Sequence, residues 1–80
     1  MRQPIEERIV MDPRIMAGKP VIRGTRIPVE LIVRMLAQGI PISDILKEYP
    51  RLQPEDISAA LAYAAWVLAH EEVFPLTVSA

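Results

Sequence analysis

The sequence predicts a mainly α domain, with a short N-terminal β-hairpin followed by a three-helix bundle. Three observations predict it. Between Gly18 and Pro28 the chain reads GKPVIRGTRIP, with two glycines, two prolines and a β-branched pair, which is the punctuation of turn, strand, turn and helix start. Beyond Pro28, apolar residues recur at helical spacing in blocks separated by Gly39 and Pro50, as one-sided helices require. Finally, Ala59 to Ala69 runs eleven residues without a charge, too long for an ordinary strand and too short to span a bilayer.

Eighty residues make one domain, 1–80, divided into a strand and hairpin region (9–27), a three-helix region (28–72) and an extended tail (73–80). A chain this short buries a smaller share of its surface than a large one, so something must supplement its core. With no cysteine and one histidine, disulfides and thiolate metal sites are excluded, and the supplement is expected to be another protein chain. No basic segment followed by an apolar run opens the sequence, so neither a signal peptide nor a membrane anchor is expected and the chain is placed in the cytoplasm.

Taken in order, 1–7 reads as a lead-in. Ile9, Val10 and Met11 form a short strand stopped by Asp12-Pro13, where the aspartate can bond the following backbone. Ile15, Met16 and Ala17 approach Gly18 as an apolar turn, and Val21-Ile22 forms the next strand. Gly24-Thr25 suits the centre of a type II′ turn, because glycine takes the required positive φ cheaply. That turn sets Ile22 opposite Ile27 and Arg23 opposite Arg26.

Pro28 then suits a first helical position. The first helix is expected over 28–38, ended by Gly39. The second covers 42–49, with Ile42, Ile45, Leu46 and Tyr49 on one face and Pro50 closing it. The third starts at Pro54, carries Glu55 and Asp56 where the helix dipole favours them, and runs to about Glu71. At 100° per residue, Ile57, Leu61, Ala64 and Leu68 share one face of it, and Ala59, Ala62, Tyr63, Trp66 and His70 share roughly the opposite one. A helix apolar all round must be covered all round. The second face is therefore read as an interface with a second copy or a partner; Phe74 and Leu76 of the extended tail are read as a further contact to a nuclease, by strand addition or pocket filling, the alternative being that the tail packs on its own domain or on the dimer mate. Met11, Met16 and Met35 are read as gap-filling core.

Net charge is −1, but the charges are segregated. Between Pro13 and Arg34 stand five cations (Arg14, Lys19, Arg23, Arg26, Arg34) against Glu30, whereas from Asp44 onward six acids face Lys47 and Arg51. A basic front is suited to anions or an acidic partner. Catalysis has no support: no nucleophile stands with a base, no glycine-rich phosphate loop is complete, and no metal or cofactor set is present. His70 is read as a cation complementing the end of the third helix.

Helix, Gly39, short helix, four-residue turn and long helix is the layout of a tri-helical helix-turn-helix. Set behind the hairpin, it closely resembles the bacterial and archaeal family known as domain of unknown function 433. The matching stretches are GKPVIRGTRIPV (18–29), the helix closed by Gly39, ILKEYP (45–50) and LQPEDISAALAYAA (52–65). Departures are Gln53, where the family usually has a Ser or Thr cap, and Pro41-Ile42, where Ser-Pro is more usual. The resemblance implies a helix-turn-helix-like homodimer, often an antitoxin paired with a PIN-like ribonuclease toxin. The expectation is thus a non-catalytic antitoxin-type protein that binds such a toxin and its own promoter DNA, with no small-molecule substrate and no membrane. The alternative is a DNA-binding regulator without a toxin. In a standard helix-turn-helix, Gln53, Glu55, Asp56 and Ser58 would enter the major groove, where two acids meet phosphates unfavourably. Nucleic-acid contact is therefore expected from Arg14, Lys19, Arg23 and Arg26 instead.

Overall fold

The structure is a computed structural model and describes residues 7–70. Its elements are β1 (Ile9–Val10), a single 3-10 turn (Met16–Gly18), β2 (Val21–Ile22), α1 (Val29–Ala37), α2 (Ile42–Glu48) and α3 (Pro54–Ala69). The three helices and the N-terminal sheet follow the expected class, but the sheet is assembled differently. β1 pairs antiparallel with β2, Ile9 opposite Ile22 and Val10 opposite Val21. The expected pairing of Ile22 with Ile27 is also present, through the Ile22 N–H to Ile27 carbonyl bond at 3.0 Å and a bridge between Val21 and Pro28. β2 is therefore the middle of three segments, with both flanks occupied.

The turn after β2 corrects the expected type. Thr25 N–H donates to the Ile22 carbonyl at 3.0 Å, so Arg23 and Gly24 are the central pair, not Gly24 and Thr25. Gly24 does take positive φ, +79°, but as the third residue of the turn, the type II position. Thr25 is thereby freed to brace the turn from outside: its hydroxyl donates to the Ile22 carbonyl at 2.7 Å and accepts from Ile27 N–H at 3.0 Å. Before β2, Met16, Ala17 and Gly18 all have positive φ (52°, 56° and 84°), a left-handed turn that carries Met16 outward. Met16 and Met11 are 43% and 62% exposed, so neither fills the core, whereas Met35 does.

Helix ends follow local chemistry. Pro28 and Pro41 are N-caps with extended backbone, one position earlier than the first helical turn expected of Pro28, while Pro54 opens α3 as anticipated. After α1, Gly39 (φ +83°) donates to Leu36 and Ile40 donates to Met35, at 3.0 and 3.1 Å. These two bonds make a Schellman motif and satisfy carbonyls that the helix end would orphan.

The core gathers Ile9, Ile22, Val29, Ile32, Ile45 and Ile57 with Met35, Leu52, Ala59 and Ala60. Each fully buried isoleucine contributes about 1.5–3 kcal/mol of transfer free energy. All three helices pack on one another, α1 most extensively on α3. From α3 the buried residues are Asp56, Ile57, Ala59 and Ala60, with Tyr63 packed on the core edge. Ala59, at 0% exposure, is core and not interface, because the small residues at 59 and 60 are where α3 meets the rest of the domain. Leu61 and Leu68, expected on the covered face with Ile57, are 46% and 67% exposed.

Candidate interaction surfaces

The length of α3 sets up the first surface. At 1.5 Å per residue its sixteen residues extend about 24 Å, against about 14 Å for the nine of α1 and about 10 Å for the seven of α2. Its C-terminal turns therefore outrun their support. Where α3 leaves α1, a groove of about 490 Å³ opens, floored by Val33 and Ala37 of α1 and Tyr63, Ala64, Val67 and Leu68 of α3. Pro20 and Pro28 close one end. Charge is confined to the rim, where Glu30 pairs with Arg34 and lies 3.8 Å from Lys19 Nζ. Being exposed, these pairs contribute at most about 1 kcal/mol each.

Trp66 stands beside the groove, 54% exposed. Its ring stacks with Tyr63 at 6.5 Å and meets His70 at 4.4 Å. His70 Nδ1 lies 2.7 Å from the Trp66 carbonyl, so the protonated ring nitrogen caps the end of α3. Of the residues expected at an interface, Trp66 lies on the exposed C-terminal part of α3, Ala62 and Tyr63 are half-buried with Tyr63 at the core edge, Ala59 is buried, and Phe74 and Leu76 lie outside the described residues; α3 itself ends at Ala69, with His70 as its cap, short of the expected Glu71.

The second surface is polar and lies at the other end of α3. Asp56 is buried at 4% exposure. One carboxylate oxygen accepts from the Gln53 N–H at 2.9 Å and the other from Arg8 Nη1 at 2.9 Å, while Arg8 also reaches Gln53 Oε1 at 3.3 Å. The acid thus serves the start of α3, where Gln53 replaces the usual hydroxyl cap, and ties that start to the residue before β1. Arg23 continues the β1–β2 ladder, its N–H on the Arg8 carbonyl and its Nε on the Glu7 carbonyl, both at 2.7 Å. Around this network lies a cleft of about 350 Å³ lined by Glu7, Arg8, Arg23, Arg51, Gln53 and Asp56. A second cleft, about 370 Å³, is lined by Ile15, Gly24, Thr25, Arg26 and Arg51.

None of these clefts is lined by more than one of the four cations expected to act together. Arg14 grips Asp12 with two side-chain bonds of 3.0 and 3.1 Å, and its backbone N–H also donates to that carboxylate at 2.9 Å. The Arg14 guanidinium, and then its backbone N–H, hold the Asp12 carboxyl below the usual carboxylate range, and Asp12 in turn raises the guanidinium. Lys19 is on the rim of the apolar groove. Arg23 and Arg26 line different clefts, and both clefts are shared by Arg51, which in sequence stands among the acids of the C-terminal half. Its position just ahead of the Leu52-Gln53-Pro54 helix start was the available signal.

Among the described residues no group of His, Asp or Glu side chains could hold a metal ion, and no helix is long and apolar enough to cross a membrane. The fold is that of a small three-helix domain led by a two-stranded antiparallel sheet, with one apolar and one arginine-rich surface. The chain belongs to the family described as Protein of unknown function (DUF433), whose model matches residues 9–64. A crystal structure of a DUF433 member from Anabaena variabilis is similar, with a TM-score of 0.74 and 37% identity, covering 84% of this chain and 66% of that one. An uncharacterized protein of Sinorhizobium fredii, y4eO, is 38% identical over 58 residues, which are 72% of this chain and 26% of that protein. The chain thus spans about a quarter of that relative. An uncharacterized protein of Archaeoglobus fulgidus is 62% identical over 29 residues, 36% of this chain and 81% of that one.

Proposed function

We propose that this chain is a non-catalytic, cytoplasmic antitoxin-type module that captures a PIN-like ribonuclease in the apolar groove between α1 and α3. The observation that carries the reading is the groove itself: an apolar trough, charged only at its rim, on a helix that overhangs its domain. Apolar grooves of this kind take an amphipathic helix or an extended apolar segment of a partner. The same reading assigns the Trp66 edge of α3 to a second copy of the chain, as a homodimer, because that edge presents an aromatic surface next to small Ala62.

The test pairs the chain with any PIN-like ribonuclease encoded beside it. Purified wild type inhibits the nuclease, and Leu68→Asp, at a groove position that is already exposed, retains its melting temperature but loses inhibition by at least about tenfold. Inhibition by Leu68→Asp equal to wild type contradicts the reading. The regulator reading, with no toxin, is favoured if no neighbouring nuclease is bound while DNA is.

A further inference from the structure

Arg51 stands between the two polar clefts and lines both of them. We infer that Arg23, Arg26 and Arg51 form a site for the phosphodiester backbone of a nucleic-acid strand, with phosphates held on both sides of Arg51. The site does not depend on the groove, so it stands or falls separately from nuclease capture.

Charge is the first argument. Among the described residues, the cleft lined by Ile15, Gly24, Thr25, Arg26 and Arg51 contains two guanidinium groups and no acid. Among the described residues neither Arg26 nor Arg51 has an ion pair or a side-chain hydrogen bond. Two like charges facing one cleft repel unless an anion enters between them. In the neighbouring cleft the acids are Glu7 and Asp56, and Asp56 is committed to Arg8 and to the start of α3. Among the described residues that line the two clefts, four are arginines and two are acids.

Donor chemistry is the second. All three cations are arginines, whose planar forks match phosphate oxygens bidentately, where lysine would offer a point charge. Arg23 is pinned in place through Nε on the Glu7 carbonyl, so part of the entropy of ordering it is already spent in folding. Gly24 adds a close approach. A Cβ there would meet nothing within 4 Å, and the Gly24 N–H has no hydrogen bond among the described residues, so a phosphate oxygen can reach the backbone. Thr25 is not a further ligand, because its hydroxyl is used within the turn.

The arrangement also changes what α3 can do. Asp56 is buried, so only Glu55 of the two acids remains on the surface at the start of the helix, beside a phosphate site instead of inside a groove of bases. Contacts of this kind position a protein on nucleic acid without reading sequence.

The full chain is titrated into a short fluorescent duplex and followed by anisotropy over a range of salt. Arg26→Ala with Arg51→Ala weakens binding at least about tenfold on every sequence and lowers the slope of log K against log salt by about two, since each phosphate contact contributes about 0.9. Arg14→Ala, which removes a cation paired with Asp12, changes binding less than about twofold by the same counting. Inorganic phosphate at millimolar concentration does not displace the duplex. Four results would overturn the inference: no duplex binding by wild type, unchanged binding by the double variant, equal loss with Arg14→Ala, or full displacement by inorganic phosphate, which would make it a free-phosphate site. The second of these results, if accompanied by loss of nuclease capture in the double variant, would assign the arginines to an acidic protein surface. Leu68→Asp retains duplex binding, which separates this site from the groove.

Discussion

At the scale of single residues, Asp56 shows how one buried charge is kept. Removing a carboxylate from water costs several kcal/mol unless its oxygens are satisfied, and here Arg8 and the Gln53 N–H satisfy one oxygen each. Asp56→Ala should destabilise the domain by about 2–3 kcal/mol, combining a lost helix cap with an arginine left partly buried; urea denaturation measures it, and a loss below about 0.5 kcal/mol would show the pair to be incidental. Gly24→Val tests a different cost. With open space around the position no clash arises, so the expected loss of about 1–3 kcal/mol is backbone strain alone. Asp12 supplies a pH dependence. Its pKa is lowered in the folded chain, so the stability it contributes is present above the ordinary aspartate pKa and is lost as pH falls through the lowered value. A carbon-detected NMR titration should find the Asp12 midpoint below that of the same residue in Arg14→Gln, and identical midpoints would contradict the pairing.

At the scale of elements, legibility in the sequence followed the reach of each signal. Gly39, Pro50 and Pro54 act within a turn of themselves, and the helix ends they mark lie within a residue or so of expectation. Strand pairing was harder. β1 and β2 are two residues each, too short to show a period of two, and the ten residues between them are no standard hairpin loop. The nearby Gly24 turn drew attention to Ile27 while the longer-range partner Ile9 went unread. α3 failed for another reason: a run of uncharged residues from 59 to 69 has no polar face to set its phase, so its core side could not be placed. The buried side is fixed by Ala59 and Ala60, where close helix approach is possible, and by Asp56, whose partner Arg8 is 48 residues away. A consequence can be measured. Trp66→Glu should shift the melting temperature by no more than a few degrees, because Trp66 is half exposed, yet weaken self-association. Tyr63→Lys, at the core edge, should cost about 1–3 kcal/mol. Equal destabilisation by both would place Trp66 in the fold.

At the scale of the whole molecule, the domain keeps its apolar and cationic surfaces at different ends of α3, a separation that the two proposals made above, one partner at each surface, both require. The separation is only half visible in the sequence: the basic front and acidic back are blocks along the chain, whereas folding brings Arg51 from the acidic block to the clefts of Arg23 and Arg26, pairs Arg14 with Asp12 and puts Lys19 on the groove rim. Of the interface residues read at Ala62, Tyr63 and Trp66, Trp66 lies on the exposed C-terminal part of α3, while the groove beside it depends on Val33 and Ala37 of α1, which no local pattern linked to α3. The central claim is that the groove is where a protein partner is held, and hydrogen–deuterium exchange on the complex with the neighbouring nuclease tests it most directly. Protection gained over Val33–Ala37 and Tyr63–Leu68, with Arg23–Arg26 and Arg51 unchanged, is the result this account predicts; protection confined to the arginine clefts, with the groove exchanging as in the free chain, would contradict it.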